Sequence, residues 1–380
     1  MPDLASIFLS AILVFQVILV INVISNWLTL KSLDSYAMPD DWPTVSILLP
    51  ARNEADNIKA CVWSLLAQDY PNYEVIVLDD SSTDETPEIL GRIKSKEPKL
   101  KLIKGESLPD GWLGKHWACQ QLAEAAQHEY LVFTDADTRH APHMLRKSVA
   151  ATLQEDADLL SVIPKEETHS WAERLAMPII PWSLHTFLPL WLSYRLPFSF
   201  LAAAIGQFIL VRKSAYEQAG GHAAIRDNVV DDFALARRFK LLGLRWRLAE
   251  GVEYIRCRMY STPRQVFEGL SKNLYAVFNQ HAGRYLFVWS WLLIVFWAPL
   301  VMLLLELSDW PVLGVISIAL ALFVWATAYL RFGFPLYLVI LYPITILAAA
   351  GIAYTSMLFS FTGHATWKGR RVKSLGASKP

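Results

Sequence analysis

The chain has 380 residues, with 35 basic and 35 acidic side chains and no formal net charge at neutral pH. This balance argues against a polybasic nucleic-acid-binding protein, so no nucleic-acid partner is expected. Charged residues make up 18% of the sequence, apolar residues make up 54%, and there are 15 tryptophans. This composition is typical of proteins at a membrane. Cys61, Cys119 and Cys257 lie far apart, so neither a disulfide framework nor a zinc module is predicted.

Two long stretches with almost no charge predict membrane segments. Residues 4–30 contain no Asp, Glu, Lys or Arg, and residues 286–361 contain only Glu306, Asp309 and Arg331. We interpret the first stretch as a retained N-terminal anchor, because no basic region precedes it and no small-residue cleavage site follows it. The second stretch divides into about three apolar segments, each long enough to cross a bilayer. These segments are residues 286–307, 311–330 and 334–361. We therefore predict an integral protein of the cell membrane.

The basic residues beside these segments predict the orientation. Lys31 follows the first segment and Arg284 precedes the second, so the domain of residues 31–285 is expected to be cytoplasmic. The basic tail, residues 362–380, favours the same side, but three crossings after residue 285 would place it outside. One apolar stretch, with residues 334–361 as a candidate, could instead be re-entrant. The sequence leaves the number of crossings open.

Between the membrane segments, residues 31–285 have the pattern of an α/β domain. Short apolar runs at residues 45–49, 74–78 and 130–133 alternate with helical stretches, as in a sheet with crossover helices. Polar residues follow each run. Because open α/β sheets bind ligands at the carboxyl ends of their strands, we expect the functional site at this edge.

Two acidic pairs lie at predicted strand ends. Asp135 and Asp137 are separated by one small residue, and together they can hold a hard divalent cation, Mg²⁺ or Mn²⁺, that neutralises a diphosphate. Asp79 and Asp80 end another predicted strand in the same way. The alternative for such aspartates is a structural role in the turn that follows the strand.

A third acidic pair, Asp231 and Asp232, opens a predicted helix that ends at Gly243. Carboxylates in a first turn complement the helix dipole, and they are equally well placed to act as a general base. The residues alone do not decide between these roles. Lys115, which follows Gly114 between the second and third apolar runs, can act as a point charge for phosphate.

Five motifs in this order resemble glycosyltransferase family 2, whose members are inverting enzymes of the GT-A fold. The motifs are residues 45–54, Asp79-Asp80, residues 114–120, Asp135-Ala136-Asp137 and Asp231-Asp232. The resemblance covers residues 44–275 and implies an α/β fold, a Rossmann-like nucleotide-diphospho-sugar transferase domain, here combined with transmembrane helices. Residues 108–118, the segment from Gly206-Gln207 to Gly220-Gly221-His222, and Arg258-Met259-Tyr260 look like the membrane branch of the family. That branch includes hopanoid-associated, carotenoid (diaponeurosporenoate) and, more distantly, ceramide glucosyltransferases.

The resemblance also implies roles for individual residues. Glu54 and Asp79 would contact the nucleobase, Asp135 and Asp137 would serve the ribose, the diphosphate and the metal, and Asp232 would be the catalytic base. The expected donor-binding residues are Pro50, Ala51, Arg52, Glu54, Asp79, Asp80, Lys115, Asp135 and Arg258, with Asp137 and Asp135 as metal ligands. The expected acceptor-side residues are Gln207, Asp231, His222 and Trp182.

An aromatic stretch at residues 171–211, interrupted by Pro178, Pro181, Pro189 and Pro197, suggests how an acceptor arrives. Prolines at this density exclude one straight transmembrane helix. Tryptophans with scattered charges suit short helices at the depth of the lipid headgroups. We therefore expect an interfacial acceptor segment beside the active site, with ordinary core packing as the alternative.

The expected function is transfer of a single hexose from a nucleotide-diphosphate sugar, with UDP-glucose as the expected donor. The expected acceptor is a membrane lipid such as a carotenoid, a hopanoid or a sphingolipid-like molecule. A single transfer is favoured because the Q/R-x-x-R-W element of processive family members is absent and residues 256–260 read Arg-Cys-Arg-Met-Tyr instead. The alternatives are a polyprenyl-phosphate sugar synthase and, outside enzymes, a degenerate membrane scaffold.

Overall fold

The computed structural model describes residues 3–278, 281–307, 310–362, 366–367 and 370–371. Most of the predicted basic tail, residues 362–380, therefore lies outside the described residues. The chain forms two compact units. The sheet unit consists of Leu30–Glu167 and Leu192–Met259. The helical unit consists of the described residues up to Thr29, Thr168–Trp191 and the described residues from Tyr260 onward.

The secondary structure elements are numbered in chain order. The helices within the described residues are α1 (Leu4–Thr29), α2 (Ile58–Leu66), α3 (Thr86–Lys94), α4 (Gly114–Ala125), α5 (Met144–Gln154), α6 (Trp171–Ala176), α7 (Ile179–Phe187), α8 (Leu190–Ser193), α9 (Lys213–Gln218), α10 (Asp231–Leu241), α11 (Pro263–Leu274), α12 (Ala282–Leu304), α13 (Pro311–Phe332) and α14 (Tyr342–Thr362). The strands are β1 (Val45–Ala51), β2 (Tyr73–Asp79), β3 (Leu100–Lys104), β4 (Tyr130–Thr134), β5 (Thr138–His140), β6 (Leu159–Ile163), β7 (Lys165–Glu166), β8 (Phe208–Arg212), β9 (Trp246–Glu250), β10 (Ile255–Cys257), β11 (Thr366–Trp367) and β12 (Arg370–Arg371).

The sheet unit is built on a seven-stranded mixed sheet with the strand order β3-β2-β1-β4-β8-β6-β9. The first four strands in this order pair in parallel. Three of them, β1, β2 and β4, contain the apolar runs predicted from the sequence. Nearly all residues of these three strands are buried, which is expected where helices cover both faces of a parallel sheet. The predicted α/β class is confirmed.

The strand order reverses beside β1, and this reversal locates the ligand edge. Strands β2 and β3 lie on one side of β1, and the chain then crosses over to place β4 on the other side. In open α/β sheets the carboxyl ends of the strands at such a reversal form a crevice for ligands. Ala51 ends β1, Asp79 ends β2, and Asp135 directly follows β4, so the predicted motifs meet at this edge.

The predicted interfacial segment, residues 171–211, is not a single element. Its first part forms α6 and α7 within the helical unit, whereas its last residues enter β8, which pairs antiparallel with both β4 and β6. The structure therefore corrects the prediction for the residues of β8. A short apolar run fits an interfacial helix and a buried strand equally well. The pairing partners on both sides, which are distant in sequence, determine that it is a strand.

The helical unit contains four helices that are long and apolar enough to cross a membrane. They are Leu4–Thr29, Ala282–Leu304, Pro311–Phe332 and Leu336–Phe361. The last of these consists of a 3-10 helix, Leu336–Leu341, followed by most of α14. They correspond to the predicted anchor and to the three predicted C-terminal segments. Within the unit, α1 packs against α13 and α7, and α12 packs against α13 and α14.

A buried asparagine of α1 holds the proline-interrupted segment in place. Asn26 Nδ2 donates to the carbonyls of His185 and Leu188, both at 2.7 Å, and its Oδ1 accepts from the Leu190 N–H at 3.0 Å. These backbone groups flank the helix break at Pro189, where regular helical bonds are lost. The side chain of Asn26 satisfies them, which explains why this segment belongs to the helical unit.

Trp182, predicted on the acceptor side of the site, lies in the core of the helical unit. Its side chain is 1% exposed, and its ring stacks on Trp325 with centroids 4.2 Å apart and ring planes 14° apart. Phe187 and Phe296 contact it edge-on. Trp191, at the end of the same segment, is 42% exposed. The core-packing alternative therefore describes Trp182, whereas Trp171, which is 57% exposed, and Trp191 have the exposure that an interfacial position requires.

Candidate functional site

The loops that follow β1 and β2 are tied together at the ligand edge. The Asp80 N–H donates to the Ala51 carbonyl at 2.8 Å. Arg52 Nη1 donates to the Asp80 carbonyl at 2.5 Å and lies 3.5 Å from its carboxylate. The Asn53 N–H donates to Ser82 Oγ at 2.9 Å, with Asn53 in the left-handed region at φ 51°. These bonds bring the predicted donor-side residues of the two loops into one cluster.

Glu54 and Asp79, the residues expected at the nucleobase, belong to the same pair of loops. The Glu54 N–H donates to Thr86 Oγ1 at 2.9 Å, and Asp79 Oδ1 accepts from the Ser82 N–H at 3.3 Å. Both loops are thus fixed by short-range polar bonds rather than by packing alone. The nucleobase role of Glu54 and Asp79 stays a prediction.

An open pocket lies at the carboxyl ends of β1 and β4, the edge at which open α/β sheets bind ligands. Its lining residues are Pro50, Lys115, Cys119, Phe133, Thr134, Asp135, Gly206, Ile209, His222, Asp231, Asp232 and Leu235. Six of these were predicted as site residues: Pro50, Lys115, Asp135, His222, Asp231 and Asp232. The structure therefore brings together residues that lie up to 182 positions apart in the sequence.

Lys115 lies in the first turn of α4 and connects two of the acidic motifs. Its Nζ is 2.8 Å from Asp135 Oδ1 and 3.4 Å from Asp231 Oδ2. Burial disfavours the ammonium form, but the two carboxylates outweigh this effect and hold the pKa of Lys115 well above its usual value. The side chain is still 39% exposed. A charged ammonium in this position can meet a phosphate group of a bound ligand.

Asp232, at the start of α10, is held by two backbone groups. Its Oδ2 accepts from the Gly206 N–H at 2.9 Å, and its Oδ1 accepts from the Phe233 N–H at 2.8 Å. A Cβ at position 206 would lie 3.3 Å from Asp232 Oδ2, so glycine permits this close approach. Burial, followed by the charge of Asp231, raises the pKa of Asp232 to about 7. A fixed carboxyl group with a pKa near neutrality is suited to proton transfer.

The two aspartates of α10, of which the resemblance implies Asp232 as the base, have different surroundings. Asp231 approaches Lys115, whereas Asp232 bonds to the backbone of Gly206 and Phe233. The N-cap position is Val230, and no side chain caps the helix. The two backbone bonds of Asp232 fix the orientation of its carboxylate in the pocket that it lines.

Asp137, the expected metal ligand, lies between β4 and β5. Its Oδ1 is buried and has no hydrogen-bond partner among the residues that the structure describes. Burial, followed by the charges of Asp135 and Glu54, raises the pKa of Asp137 to about 7, although a hydrogen bond from Cys257 opposes this. An unpartnered carboxylate oxygen among acidic neighbours fits a hard divalent cation, which prefers oxygen ligands.

The number of protein ligands also fits such a cation. Within the described ranges, no group of three or more His, Cys, Asp or Glu side chains is arranged to hold a metal. Mg²⁺ at nucleotide sites is commonly held by one or two carboxylates, with substrate phosphates and water completing the shell. Asp137 and Asp135 match this pattern.

Gln207 and Trp182, two of the residues predicted on the acceptor side, do not line the pocket, whereas Gly206 lines it without having been predicted as a site residue. Gln207 is 6% exposed, and its Nε2 donates to Glu166 Oε1 at 2.8 Å. Trp182 belongs to the helical unit. The missed residue is Gly206, whose N–H holds Asp232. Its signal in the sequence was the glycine itself, since glycine allows a close approach of the backbone.

Arg258, which was predicted to bind the donor, is positioned by a backbone hydrogen bond. Its N–H donates to the Asp137 carbonyl at 3.4 Å. The preceding strand β10 pairs antiparallel with β5, with Cys257 opposite Thr138. This small sheet therefore brings Arg258 next to the acidic motif of residues 135–137.

Comparison with known proteins relates this arrangement to a family. Residues 46–220 match the model of glycosyl transferase family 2. The chain is 28% identical over 243 residues to 4,4'-diaponeurosporenoate glycosyltransferase of Staphylococcus aureus, covering 60% of each protein. It is 27% identical over 255 residues to the enzyme of that name from Staphylococcus haemolyticus, covering 64% of each. The match thus spans less than two thirds of the length of these relatives.

A solved structure shares the fold over most of the chain. A mannosyltransferase from Pyrobaculum calidifontis, in complex with GDP-Man and Mn²⁺, superposes with a TM-score of 0.56 at 20% identity, covering 91% of this chain and 99% of that one. The family match, the curated relatives and this likeness confirm the resemblance inferred from the five sequence motifs. Residues 46–220 thus resemble a family 2 glycosyltransferase domain, and the chain has the fold of the solved mannosyltransferase.

Proposed function

We propose that this protein is a membrane-bound inverting glycosyltransferase that transfers a single hexose from a nucleotide-diphosphate sugar to a lipid. The proposed donor is UDP-glucose, and the proposed acceptor is a carotenoid, a hopanoid or a sphingolipid-like molecule. Support comes from the family 2 domain, from relatives named 4,4'-diaponeurosporenoate glycosyltransferase and from four helices apolar enough to cross a membrane. Lys31 and Arg284, beside the apolar segments, favour a cytoplasmic position for the catalytic domain.

The arrangement of Asp232 carries this proposal. The carboxylate lines the pocket and is oriented by two backbone N–H groups. Each carboxylate oxygen keeps a further lone pair for a proton. The pKa of about 7 places the group where a general base is most effective near neutral pH.

The proposed reaction is one displacement. Asp232 takes the proton of the acceptor hydroxyl while the hydroxyl oxygen attacks the anomeric carbon of the sugar. The bond between that carbon and the diphosphate oxygen breaks on the opposite side, so the configuration inverts and the nucleotide diphosphate leaves. The ammonium of Lys115 is available to bind the departing phosphate. A divalent metal, when held by Asp137 and Asp135, would supply further positive charge for the leaving group.

The proposal predicts a labelled lipid. Full-length protein in membranes is incubated with radiolabelled UDP-glucose, UDP-galactose, UDP-N-acetylglucosamine or GDP-mannose, and the lipids are extracted into organic solvent. We expect label from at least one donor in the organic phase, stable to mild acid, and none with membranes lacking the protein. An acid-labile product would support a polyprenyl-phosphate sugar synthase instead. No lipid label from any donor would contradict the proposal.

A second prediction concerns the use of the lipid acceptor, and it compares two tryptophans of residues 168–191. Trp191 is exposed and Trp182 is buried. If exposed aromatic side chains of this segment lie in the headgroup region, Trp191→Glu places a charge there, which is unfavourable. We expect Trp191→Glu to lower transfer to lipid several-fold more than hydrolysis of the donor, both measured with the labelled sugar.

Trp182→Glu is the matched comparison. It removes the stacking on Trp325 and buries a carboxylate, so we expect loss of stability exceeding the ~3–5 kcal/mol typical of truncating a core tryptophan. Its yield and melting temperature should fall, and both activities should fall together. Equal loss of lipid transfer and donor hydrolysis in Trp191→Glu would show that Trp191 has no special role toward the lipid.

A further inference from the structure

His222 lines the pocket from a rigid position. It begins a short 3-10 helix, His222–Ile225, directly after Gly220 and Gly221. Gly221 has φ +54°, and a Cβ there would lie 2.7 Å from the Tyr216 ring. Only glycine allows Tyr216 to come this close to the turn. The ring of Phe133 packs edge-on against the imidazole at 4.9 Å.

The hydrogen bonds of Tyr216 determine the tautomer of His222. The Tyr216 hydroxyl oxygen accepts from the His222 backbone N–H at 3.0 Å and lies 2.7 Å from the imidazole Nδ1. Among the residues that the structure describes, the hydroxyl proton has no other acceptor. The hydroxyl therefore donates to Nδ1, and a neutral imidazole with an accepting Nδ1 carries its own proton on Nε2.

The imidazole is neutral under ordinary conditions. Burial, followed by the charge of His116, lowers the pKa of His222 to about 3, although Asp231 opposes this. Within the described part of the chain, the Nε2–H has no hydrogen-bond partner of its own. His222 thus brings to the pocket a fixed, uncharged donor rather than a cation.

A neutral donor beside a carboxylate matches one kind of ligand group. Asp231, which lines the same pocket, can accept a hydrogen bond, and His222 Nε2–H can donate one. A hydroxyl group both donates and accepts, whereas a phosphate oxygen only accepts and would favour the cation Lys115. We propose that His222, fixed as its Nε2–H tautomer by Tyr216, forms with Asp231 a binding subsite for a substrate hydroxyl.

The subsite rests on the proposed function for the identity of its substrates, and two hydroxyl sources are possible. One is the sugar of the nucleotide donor, and the other is the lipid acceptor. The first test measures binding of the full-length protein, by calorimetry, to the best-bound of the four nucleotide sugars above and to the nucleotide diphosphate alone. The second measures KM for the extracted lipid fraction that becomes labelled.

We expect His222→Leu to weaken the binding of one substrate only, either the nucleotide sugar or the lipid acceptor. If the sugar supplies the hydroxyl, the Kd of the nucleotide sugar rises about 3–10-fold, as for loss of one neutral hydrogen bond, and that of the nucleotide diphosphate alone does not change. If the acceptor supplies it, both Kd values stay constant and the lipid KM rises. Equal weakening of nucleotide sugar and nucleotide, or no change in Kd and KM, would overturn the proposal.

Conservative variants separate hydrogen bonding from packing. The amide nitrogen of His222→Gln reaches close to the place of Nε2, whereas that of His222→Asn reaches only the place of Nδ1. We expect His222→Gln to keep most of the substrate affinity that His222→Leu loses, and His222→Asn to keep little of it. Tyr216→Phe keeps the ring but frees Nδ1 to take the proton, so we expect a smaller loss of the same kind. Equal behaviour of Gln and Asn would contradict the tautomer assignment.

The hydroxyl subsite and the proposed function are tested by different measurements, so one can be contradicted without the other. Donor binding needs neither the lipid nor turnover, so the sugar subsite can be supported even if no lipid product forms. Conversely, a labelled lipid product with unchanged Kd and KM in His222→Leu would leave the proposed function intact and remove the subsite. Thermal denaturation of each variant checks that the binding measurements are made on folded protein.

Discussion

Asp232→Asn is expected to lower turnover by about 10²–10⁴-fold, the usual contribution of a general base. The amide has nearly the size of the carboxylate, but it cannot accept the proton of the acceptor hydroxyl. Donor binding is expected to change little, because Lys115 and the loops after β1 and β2 are untouched. The measurement is kcat for labelled lipid product, together with the Kd of the nucleotide diphosphate.

Asp232→Asn is also expected to lower the stability of the fold, and this loss must be measured separately from turnover. Both oxygens of Asp232 accept backbone N–H bonds, and an amide can accept at only one of them. One partly buried N–H is left without its partner, which costs up to about 1–3 kcal/mol of stability. Asp231→Asn is the matched control, because it changes the neighbouring carboxylate, which approaches Lys115, and leaves the bonds of Asp232 to Gly206 and Phe233 in place. Near-normal turnover in Asp232→Asn, or equal damage and equal loss of melting temperature in both variants, would contradict the assignment of the base.

The same assignment sets the pH dependence of the unsubstituted protein. Only the deprotonated form of Asp232 can accept a proton, and its pKa is raised to about 7. We therefore expect kcat to increase with pH through about 7 and to level off above it. The groups that act on this titration are Asp231, which raises the pKa, and Lys115, which lowers it. In Asp232→Asn the residual rate is expected to lose this inflection.

Asp137→Ala is expected to lower transfer by more than about 10²-fold, because it removes a ligand of the proposed metal and with it charge stabilisation of the leaving diphosphate. The fold is expected to persist. Asp137 has an unpartnered buried oxygen and acidic neighbours that raise its pKa, so its charge does not stabilise the native state. The measurements are lipid transfer, melting temperature and Mn²⁺ binding in the presence of nucleotide diphosphate.

Asp156→Ala provides the control for this prediction. Asp156 is an exposed aspartate paired with Arg212 and Arg245 on the surface, and surface pairs contribute at most about 1 kcal/mol. Its transfer activity and Mn²⁺ binding are expected to equal those of the unsubstituted protein. Chelation with excess EDTA gives an independent check, with activity expected to vanish and to return on adding Mg²⁺ or Mn²⁺. Full activity in excess EDTA, or normal Mn²⁺ binding in Asp137→Ala, would rule out the metal assignment.

The sequence by itself determined the fold class, the membrane segments and the order of the motifs. Each of these depends on information within a few neighbouring residues. A buried parallel strand is a short apolar run, a membrane segment is a long one, and Asp79 or Asp135 follows its strand directly. Parallel strands also bring their carboxyl ends to one edge whatever the details of packing. For this reason, the residue pattern alone was enough to expect Asp79 and Asp135 at one edge of the sheet, whereas the family resemblance was needed to assign Lys115 to the same site.

Only the tertiary structure showed that neighbouring residues of the same type have different surroundings. Asp231 and Asp232 look alike in the sequence, but Gly206, which is distant along the chain, gives its N–H to Asp232 alone. Similarly, Trp182 is buried against Trp325 while Trp191 is exposed. Such contacts join distant segments through antiparallel strand pairing or helix packing. The local periodicity of a segment does not show which other segment it will contact. The chemistry of each side chain could be inferred from its type, but its surroundings depend on residues far away in the sequence.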